Sequence, residues 1–480
     1  MKNTFLSGLA LLSGFAASGQ VTTSISWGPS TDCNMPGQGT YRPRIAINGD
    51  GFPVVLWGDM MPNSNYVAIG NGAAFGTPVE VSAPGCVPAV ADFMGSSIAA
   101  VGNTVWVVMK ANPEDTEPIY VRRSNNGGMT WGDTLRVEPY DGLVSRFPSI
   151  DVTDPDAPLV QYMQFDNGFA GARHVVTRLD GSTFSAPVQV STPFAPGLVC
   201  DCCPSQVVAD GDRAVALYRN AGPNVRVMYG AASDDAGATF PVGALLDTTG
   251  WPLTACPGSG PDGYLFGDSI RYVWMSGANN GTKVYIGEAH ADDLSLGSQA
   301  YVHPGQMTML QQNFPRIAGS GDTLGVVWQQ QMSGQYEILF SWSVTGPGGL
   351  STPDTVNSSL AGAQKTPDIA YADGAFHIVW SESATEQVQY RKATLTNNVA
   401  VQETGASEAV MIWPDPVVDV LHISSGRWSR AIVYDAQGKI VYRQRVTSAV
   451  VSVGHLPAGN YVLQLEDGDS HLVTKRFDKQ

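Results

Sequence analysis

The side chains in this sequence that could carry chemistry most directly are its six cysteines. Three of them fall within the segment Cys200-Asp201-Cys202-Cys203, and Cys256, like Cys203, stands immediately before a proline. The other two are Cys33 and Cys86. Thiolates are nucleophiles and ligands for soft metals, and paired thiols form disulfides in oxidising compartments. These cysteines therefore predict either disulfide bonds or a soft-metal site.

Disulfides are favoured by the even number of cysteines and by an N-terminus typical of exported chains. Cys202 and Cys203 are not expected to bond to each other, because neighbouring Cα atoms lie about 3.8 Å apart and an unstrained disulfide needs about 4.4 to 6.8 Å. The predicted bridges are Cys33 with Cys86 and Cys203 with Cys256. The other two cysteines are left without an assigned partner.

A soft-metal site is the alternative for the same residues. In an extended strand the side chains of Cys200 and Cys202 point the same way, and with Cys203 and Cys256 they offer sulfur ligands to a copper or zinc ion. The spacing matches no known zinc pattern, so both interpretations stay open. If the cysteines form disulfides, no cofactor is expected.

A repeated pattern determines where these cysteines lie. A strand beginning with X-Pro recurs seven times, with 45 to 60 residues between successive prolines. Most units then carry a hydrophobic strand that ends in an aromatic residue, such as Val54–Trp57 or Val326–Trp328. Four short strands per unit predict an all-β fold, a β-propeller with seven blades favoured over six. We expect Thr22 to Trp27 to complete the last blade, the one that contains Val379 and Tyr390, as its outer strand.

All six cysteines precede the first strand of a predicted blade. In a propeller these connections and the turns from second to third strands lie at the same end of the channel, which we call the cysteine face. Cys203 and Cys256 hold the same position in neighbouring units. We therefore expect Cys200, Cys202, Cys203 and Cys256 to form one cluster at the channel mouth, either as disulfides or as a metal site.

Two turns between third and fourth strands resemble the Asp-box of sialidase-like (BNR-repeat) propellers, Ser-x-Asp-x-Gly-x-Thr-Trp. One has Asn in place of the Asp, and the other has Phe in place of the Trp. The matching residues are Ser124, Asn126, Gly128 and Trp131 in the first turn and Ser233, Asp235, Gly237 and Phe240 in the second. We expect the carboxylate or amide to cap turn N–H groups and the aromatic ring to pack between sheets.

The resemblance to sialidases implies an arginine triad, a tyrosine activated by a glutamate, and an aspartate as acid/base. Arg42 in Tyr41-Arg42-Pro43 resembles the family's Arg-Ile-Pro arginine, with Pro where Ile is usual. The candidate catalytic residues on the cysteine face are Arg42, Arg146, Arg219, Asp59, Asp166 and Glu382. Salt bridges between blades or surface solvation are the competing interpretation of each, so the sequence does not decide whether the chain is an enzyme.

The N-terminus, residues 1–19, is predicted to be a signal peptide. Lys2 supplies a positive charge, Phe5 to Ala16 an apolar stretch, and Ala17-Ser18-Gly19 a small-residue cleavage site. No later segment reaches about 18 uninterrupted apolar residues, so no transmembrane helix is predicted. The formal net charge of -16 argues against a nucleic-acid partner.

Beyond the predicted propeller, residues 20–395, and a polar linker, residues 396–409, the C-terminal segment 410–480 carries four ordered motifs. They are Trp413-Pro414-Asp415-Pro416 followed by Asp419-Val420-Leu421-His422-Ile423, then Asp435-Ala436-Gln437-Gly438-Lys439, then Leu456-Pro457-Ala458-Gly459-Asn460-Tyr461, and last the basic Lys475-Arg476. This segment resembles the type A sorting domain of type IX secretion cargo, although Asp415 stands where Asn is usual. The resemblance implies a small immunoglobulin-like β-sandwich, contact with the type IX secretion machinery, and export through the periplasm to the medium or the outer cell surface.

These observations together give two functional hypotheses. The first is a secreted or cell-surface propeller that binds a glycan or a protein on its cysteine face. The alternative is a sialidase-like exo-glycosidase that uses the candidate residues above. A hydrolase requires convergent carboxylates and arginines in one pocket, whereas a binding domain requires an exposed aromatic or polar surface.

Overall fold

A computed structural model describes residues 20–61, 63–191, 198–303, 310–400, 410–424, 428–467 and 472–480. The predicted signal peptide and residues 401–409 of the predicted linker lie outside these ranges. The chain divides into two compact units, Ser26–Thr394 and a second unit that contains Leu395–Gln480 together with residues up to Ile25. No helix in the described ranges is both long enough and apolar enough to cross a membrane.

The regular secondary structure of the described residues in the larger unit is β-strand, apart from one 3-10 turn at Pro347–Gly349. Its strands are β1 Gln20–Trp27, β2 Thr31–Asp32, β3 Tyr41–Ile47, β4 Pro53–Asp59, β5 Ser64–Ile69, β6 Val79–Glu80, β7 Ser97–Val101, β8 Thr104–Lys110, β9 Ile119–Ser124, β10 Thr134–Arg136, β11 Val144–Asp151, β12 Leu159–Asp166, β13 Ala170–Asp180, β14 Thr183–Phe184, β15 Val188–Gln189, β16 Gln206–Asp210, β17 Arg213–Asn220, β18 Val225–Ser233, β19 Val242–Leu245, β20 Trp251–Pro252, β21 Asp262–Phe266, β22 Ser269–Ser276, β23 Gly281–His290, β24 Leu296–Tyr301, β25 Leu310–Ser320, β26 Thr323–Met332, β27 Gln335–Ser343, β28 Asp354–Thr355, β29 Gln364–Ala372, β30 Ala375–Glu382 and β31 Gln387–Ala400. β1 and β31 contribute residues to both units.

These strands form antiparallel blades whose first three strands each pair with the next along the chain. Blades 1 to 7 begin at β3, β7, β11, β16, β21, β25 and β29. Blades 5 and 6 are joined by a short parallel pairing at Gly281 with Leu310 and Thr282 with Gln311. The arrangement is consistent with the seven-bladed prediction.

The blades close into a ring. The first strand of each blade contacts the first strand of the next, and β29 of blade 7 contacts β3 of blade 1. β1 pairs with β31 as the outer strand of blade 7, which confirms the predicted closure. Since β31 continues to Ala400, the strand extends five residues into the predicted linker. Joining both ends of the propeller in one sheet covers the outer edge of β31 with β1.

The hydrophobic core lies between neighbouring blades. Second strands are buried along most of their length, and five of them carry a fully buried tryptophan, at positions Trp57, Trp106, Trp274, Trp328 and Trp380. Trp328 of blade 6, for example, packs against Val273 and Ile286 of blade 5. Each second strand is apolar on both faces because it contacts a blade on either side.

The repeated X-Pro has two structural roles. In blades 1, 3, 6 and 7 the residue before the proline lies inside the first strand with positive φ, at Arg42, Phe147, Phe314 and Thr366. The strand pairing shifts register at each of these points. In the other three blades the proline precedes the first strand. The pattern therefore marks a β-bulge in four blades, which turns the residue before the proline out of the regular strand alternation.

The second unit is a small β-sandwich. Its strands are β32 Ile412–Trp413, β33 Val420–Ile423, β34 Trp428–Tyr434, β35 Ile440–Arg445, β36 Val450–Ser452, β37 Gly459–Asp467 and β38 Leu472–Lys479. They form sheets of three and four strands around one core that includes Leu421, Val433 and Leu463. The carboxylate of Asp415 accepts the N–H of Asp478 at 2.8 Å, so aspartate supplies an acceptor at the position where the motif usually has asparagine.

Candidate functional site

The four clustered cysteines lie together at the junction of blades 4 and 5, as predicted. Disulfides join Cys200 to Cys203 and Cys202 to Cys256, with Cα atoms 5.4 and 6.1 Å apart. The sulfur atoms of Cys200 and Cys202 are 3.8 Å apart, so the two bridges are in contact. Cys200 and Cys203 are buried, whereas Cys256 is exposed.

The predicted bridge between Cys203 and Cys256 is wrong. The N–H of Cys203 donates to the carbonyl of Cys200 at 3.2 Å, so a tight turn brings these two side chains together. Cys202 extends from this turn towards blade 5, where the Cys256 sulfur lies 3.5 Å from the Cys202 carbonyl oxygen. Cys203 and Cys256 lie in the same cluster, as their equivalent positions in the repeat predicted. The local turn nevertheless joins Cys203 to Cys200 and leaves Cys202 to bond with Cys256.

The predicted bridge between Cys33 and Cys86 is also wrong, because blade 1 separates the two residues. Cys33 packs in the core between blades 7 and 1, next to Trp57 and Val388. Cys86 packs against the core between blades 1 and 2. Both are free thiols. Burial raises the pKa of Cys33 well above its usual value and that of Cys86 to about 11, so both remain protonated at neutral pH.

An aromatic segment lies across the channel mouth on the cysteine face. It runs from Pro88 to Met94, between blades 1 and 2, and is closed by a bridge between Ala91 and Met94. Its Asp92 and Phe93 reach the first strands or connections of blades 1, 3, 5 and 7, at Arg42, Phe147, Gly258 and Lys365. Phe93 remains 38% exposed. Phe93 therefore presents an aromatic ring to solvent on the cysteine face.

Four charged residues line the axis beneath this segment, and sequence reasoning did not identify them as a group. Arg44, Asp262, Arg316 and Asp368 occupy the same register in blades 1, 5, 6 and 7, each opposite the residue before the second-strand tryptophan. Aligning the repeats on that tryptophan would have revealed them. Arg316 contacts Asp262 at 3.2 Å and Asp368 at 2.7 Å.

These charges connect the blades at the axis. The second oxygen of Asp368 accepts the N–H of Ile45 in blade 1 at 3.0 Å, and that of Asp262 accepts the N–H of Ile317 in blade 6 at 2.8 Å. Burial alone would lower the pKa of Arg316, but the two carboxylates outweigh it and raise the pKa. Arg316, Asp262 and Asp368 therefore form a structural ion-pair network at the axis.

The three candidate arginines are each held by a different partner. Arg42 donates to the Phe93 carbonyl at 3.4 Å, and Arg146 forms a salt bridge with Glu114 at 2.5 Å. Arg219 is fully buried and donates to the Met275 carbonyl at 2.8 Å. Burial is the main cause that lowers the pKa of Arg219 to about 10. Among the described residues, no hydrogen-bond or ion-pair partner is shared by two of these three arginines.

The three candidate carboxylates lie at the ends of second strands, as predicted, and each is engaged locally. Asp59 accepts the N–H of Met61 at 2.9 Å, and Asp166 forms a salt bridge with Arg173 at 2.9 Å. Glu382 accepts the N–H of Ala384 at 2.9 Å and the Thr385 hydroxyl. Within the part of the chain that the structure describes, no hydrogen bond or ion pair joins two of the six candidate side chains.

The two turns that resemble the Asp-box have the expected hydrogen bonds. Asn126 accepts the Ser124 hydroxyl and the Thr130 N–H, each at 2.9 Å. Asp235 accepts the equivalent groups of Ser233 and Thr239, each at 2.8 Å. The glycines of both turns have positive φ, and the aromatic residues Trp131 and Phe240 pack against cores between blades. Both turns lie opposite the cysteine face and have a structural role.

Two surface cavities lie at that opposite end of the ring. One, of about 550 Å³, is lined by turn residues of blades 3 and 4, including Asp154, Arg178 and Asp212. The other, of about 450 Å³, is lined by blades 2 and 3, including Trp131. Apart from Asn126 and Trp131, none of their lining residues was a sequence candidate. Both cavities are clefts between the edges of neighbouring blades.

Several solved structures are similar to the chain. A protein of unknown function from Dyadobacter fermentans is 11% identical, with a TM-score of 0.45 over 78% of this chain and 99% of that one. PorZ, a surface component of the type IX secretion system of Porphyromonas gingivalis, is 13% identical, with a TM-score of 0.42 over 93% of this chain and 60% of that one. A Trypanosoma rangeli sialidase is 12% identical, with a TM-score of 0.42 over 95% and 88%. None of these similarities assigns an activity.

No curated protein matches the chain. Residues 411–478, however, match a family model described as a secretion system C-terminal sorting domain. The matched range begins one residue inside the predicted boundary and covers the sandwich from β32 to β38 except for the last residue of β38. The C-terminal unit is therefore a type IX secretion sorting domain, and the chain is a cargo that this system exports to the cell surface or the medium.

Proposed function

We propose that the propeller is a binding domain whose cysteine face holds a glycan or protein ligand outside the cell. The observation that carries this proposal is the distribution of exposed large hydrophobic side chains. Among the described residues of Ser26–Thr394, ten of the seventeen lie on the cysteine face, namely Met35, Met60, Met61, Val87, Phe93, Tyr140, Phe169, Leu198, Met332 and Leu360. The other seven are spread over the opposite face and the outer strands.

Such a concentration is typical of an interaction surface. Exposed apolar side chains that cluster on one side of a soluble domain mark sites for partners, and methionine adapts its shape to different ligands. Tyr140 is 88% exposed and Met61 87% exposed, so both are free to contact a partner. The guanidinium of Arg136 lies over the ring of Tyr140, 3.8 Å from its centroid. The apolar composition favours a protein ligand over a sugar.

Glycoside hydrolysis is the second candidate and has less support. A sialidase-like glycosidase requires its arginines and its acid/base carboxylate to converge in one pocket. Asp59, Asp166 and Glu382 instead bond to their own turns or to a neighbouring arginine. These contacts give each carboxylate a structural role.

Paired surface variants test the binding proposal. The purified chain is applied to an array of sialylated and neutral glycans, and intact cells that display it are treated with a cross-linker to capture bound proteins. Met61→Ser combined with Tyr140→Ser should weaken binding about fivefold or more, because truncating the few residues that anchor an interface costs more than about 1 kcal/mol each. Met129→Ser is the matched control, since Met129 is 60% exposed on the opposite face.

The outcomes separate the two functions. Equal binding by the paired variant and by wild type would contradict the proposed surface. Release of sugar from the array by wild type, lost in Asp166→Asn or Glu382→Gln, would replace binding with hydrolysis.

A further inference from the structure

We propose that the four clustered cysteines form a redox-controlled site for a soft metal ion, closed to metal while both disulfides are intact and opened by a dithiol reductant. The ion is of the thiophilic class that copper(I) and zinc represent. This proposal is independent of the ligand on the cysteine face.

The positions of the sulfur atoms support a metal site after reduction. The sulfurs of Cys200, Cys202 and Cys203 all lie within 4.8 Å of one another. A tetrahedral ion with metal–sulfur bonds of about 2.3 Å holds its sulfur ligands about 3.8 Å apart. The sulfurs of Cys200 and Cys202 are already 3.8 Å apart. Cys203 has to withdraw from its bonded partner Cys200 by less than about 2 Å. Cys256, which is bonded to Cys202, is not one of these three sulfurs and has to move towards Cys200 and Cys203 to become the fourth ligand.

The local backbone keeps these ligands near one another when the bridges are open. The turn at Cys200 is closed by the Cys203 N–H, and the Cys200 N–H donates to the Arg219 carbonyl at 2.9 Å. On the blade 5 side, Arg226 donates to the carbonyl of Ala255, the residue before Cys256, at 3.2 Å. None of these hydrogen bonds depends on a disulfide.

Exposure sets the order in which the bridges open. A dithiol thiolate attacks the exposed sulfur of Cys256 and releases Cys202 as a thiolate. The second thiol of the same molecule then displaces Cys256, so one dithiol becomes one disulfide and Cys202 and Cys256 are reduced. The accessible bridge reacts first because attack requires access to the sulfur.

The buried bridge opens through Cys202. Its thiolate, 3.8 Å from the Cys200 sulfur, attacks that atom, forming a Cys200–Cys202 bond and releasing Cys203 with the electron pair, which takes a proton from water. A second dithiol then reduces the new bond at the half-buried Cys202. Two dithiols thus supply the four electrons that open both bridges, and metal binding displaces the remaining thiol protons.

The test measures metal binding and the cysteines that the metal protects. The full chain, with Cys33→Ala and Cys86→Ala to remove the other thiols, is reduced anaerobically with dithiothreitol, desalted, and loaded with copper(I) or zinc(II) in separate samples. We expect the reduced chain to retain one ion and the oxidised chain none. Bound metal should protect all four cysteines from iodoacetamide, as seen by peptide mass spectrometry, and affinity should fall as pH falls because protons compete for the sulfurs.

A central ligand and a peripheral ligand distinguish the site from nonspecific thiol binding. Cys202→Ser should abolish retention, since Cys202 is adjacent to the other sulfurs. Cys256→Ser leaves the three sulfurs that already lie within 4.8 Å of one another. It should weaken affinity by at least about tenfold, the loss that removing an outer-shell partner alone causes, without abolishing it. Tryptophan fluorescence checks that both variants keep the fold. The proposal would be overturned if Cys202→Ser retained as much metal as the reduced chain with all four cysteines, or if that reduced chain stayed folded and retained no metal. Loss of the propeller fold on reduction would also overturn it.

Discussion

Replacing Asp368 by alanine should destabilise the propeller more than replacing Asp151, a buried aspartate that connects two other blades without a cation. Asp368 is 3% exposed and connects blades 6, 7 and 1 through Arg316 and the N–H of Ile45. The substitution leaves that N–H without its acceptor and leaves Arg316 with Asp262 alone. Removing one partner of a buried charge pair costs about 3 to 5 kcal/mol of unfolding free energy.

Asp151 provides the matched control. Its carboxylate accepts the N–H of Ala209 in the next blade at 2.8 Å, the same kind of connection, but no cation contacts it in the described residues. Burial raises the pKa of Asp151 to about 6, so its charge at neutral pH is itself unfavourable. Asp151→Ala should therefore lower the unfolding free energy by only about 1 to 3 kcal/mol, the range for leaving a buried N–H without an acceptor.

Urea unfolding followed by tryptophan fluorescence measures both costs, because five tryptophans lie fully buried in second strands. The difference between the variants should persist at high salt, since buried ion pairs are screened little. If Asp368→Ala loses no more stability than Asp151→Ala, the charged residues at the axis do not hold the ring together.

Three further predictions concern other parts of the chain. Burial lowers the pKa of His174 to about 3, so the folded chain loses about 1.4 kcal/mol of unfolding free energy for each pH unit below about 6.5. His174→Phe should remove this loss, as measured by urea unfolding at pH 7.5 and 5. Asp235→Asn should be tolerated, since Asn126 forms the equivalent bonds, whereas Asp235→Ala should cost about 1 to 2 kcal/mol in the same assay. Deleting residues 410–480 should leave a folded propeller in the periplasm, and finding it in the medium at normal levels would contradict the sorting role.

The repeat made most of the fold predictable. Each X-Pro and each second-strand aromatic marks one blade, and the apolar strand before Trp328 or Trp380 is buried on both faces as the pattern indicates. The N-terminal strand was expected in blade 7 because that blade lacked a fourth strand, and the structure confirms it. Hydrophobic periodicity and turn residues suffice for these features because they act within one repeat.

The features that the sequence did not predict depend on contacts between repeats or on local turns. Cys203 bonds to Cys200 because a turn hydrogen bond brings them together, and spacing alone does not encode that turn. Positive φ at Phe147 was not expected, because a residue before proline usually adopts an extended conformation. The axial charges were missed because Arg316 and Asp368 belong to different blades and meet only when the ring closes.

The junction of blades 4 and 5 is built to keep its shape when the disulfide across it opens. Arg213 pairs with Asp292 at 2.8 Å, Arg219 donates to Met275, and the Tyr272 hydroxyl donates to the Leu246 carbonyl at 2.9 Å. A hydrophobic core shared by the two blades surrounds these bonds. Opening the Cys202–Cys256 bridge should therefore cost about 2 to 4 kcal/mol, mainly by freeing the unfolded chain, without separating the blades. A reduced chain that stays folded is the condition that the proposed metal site requires.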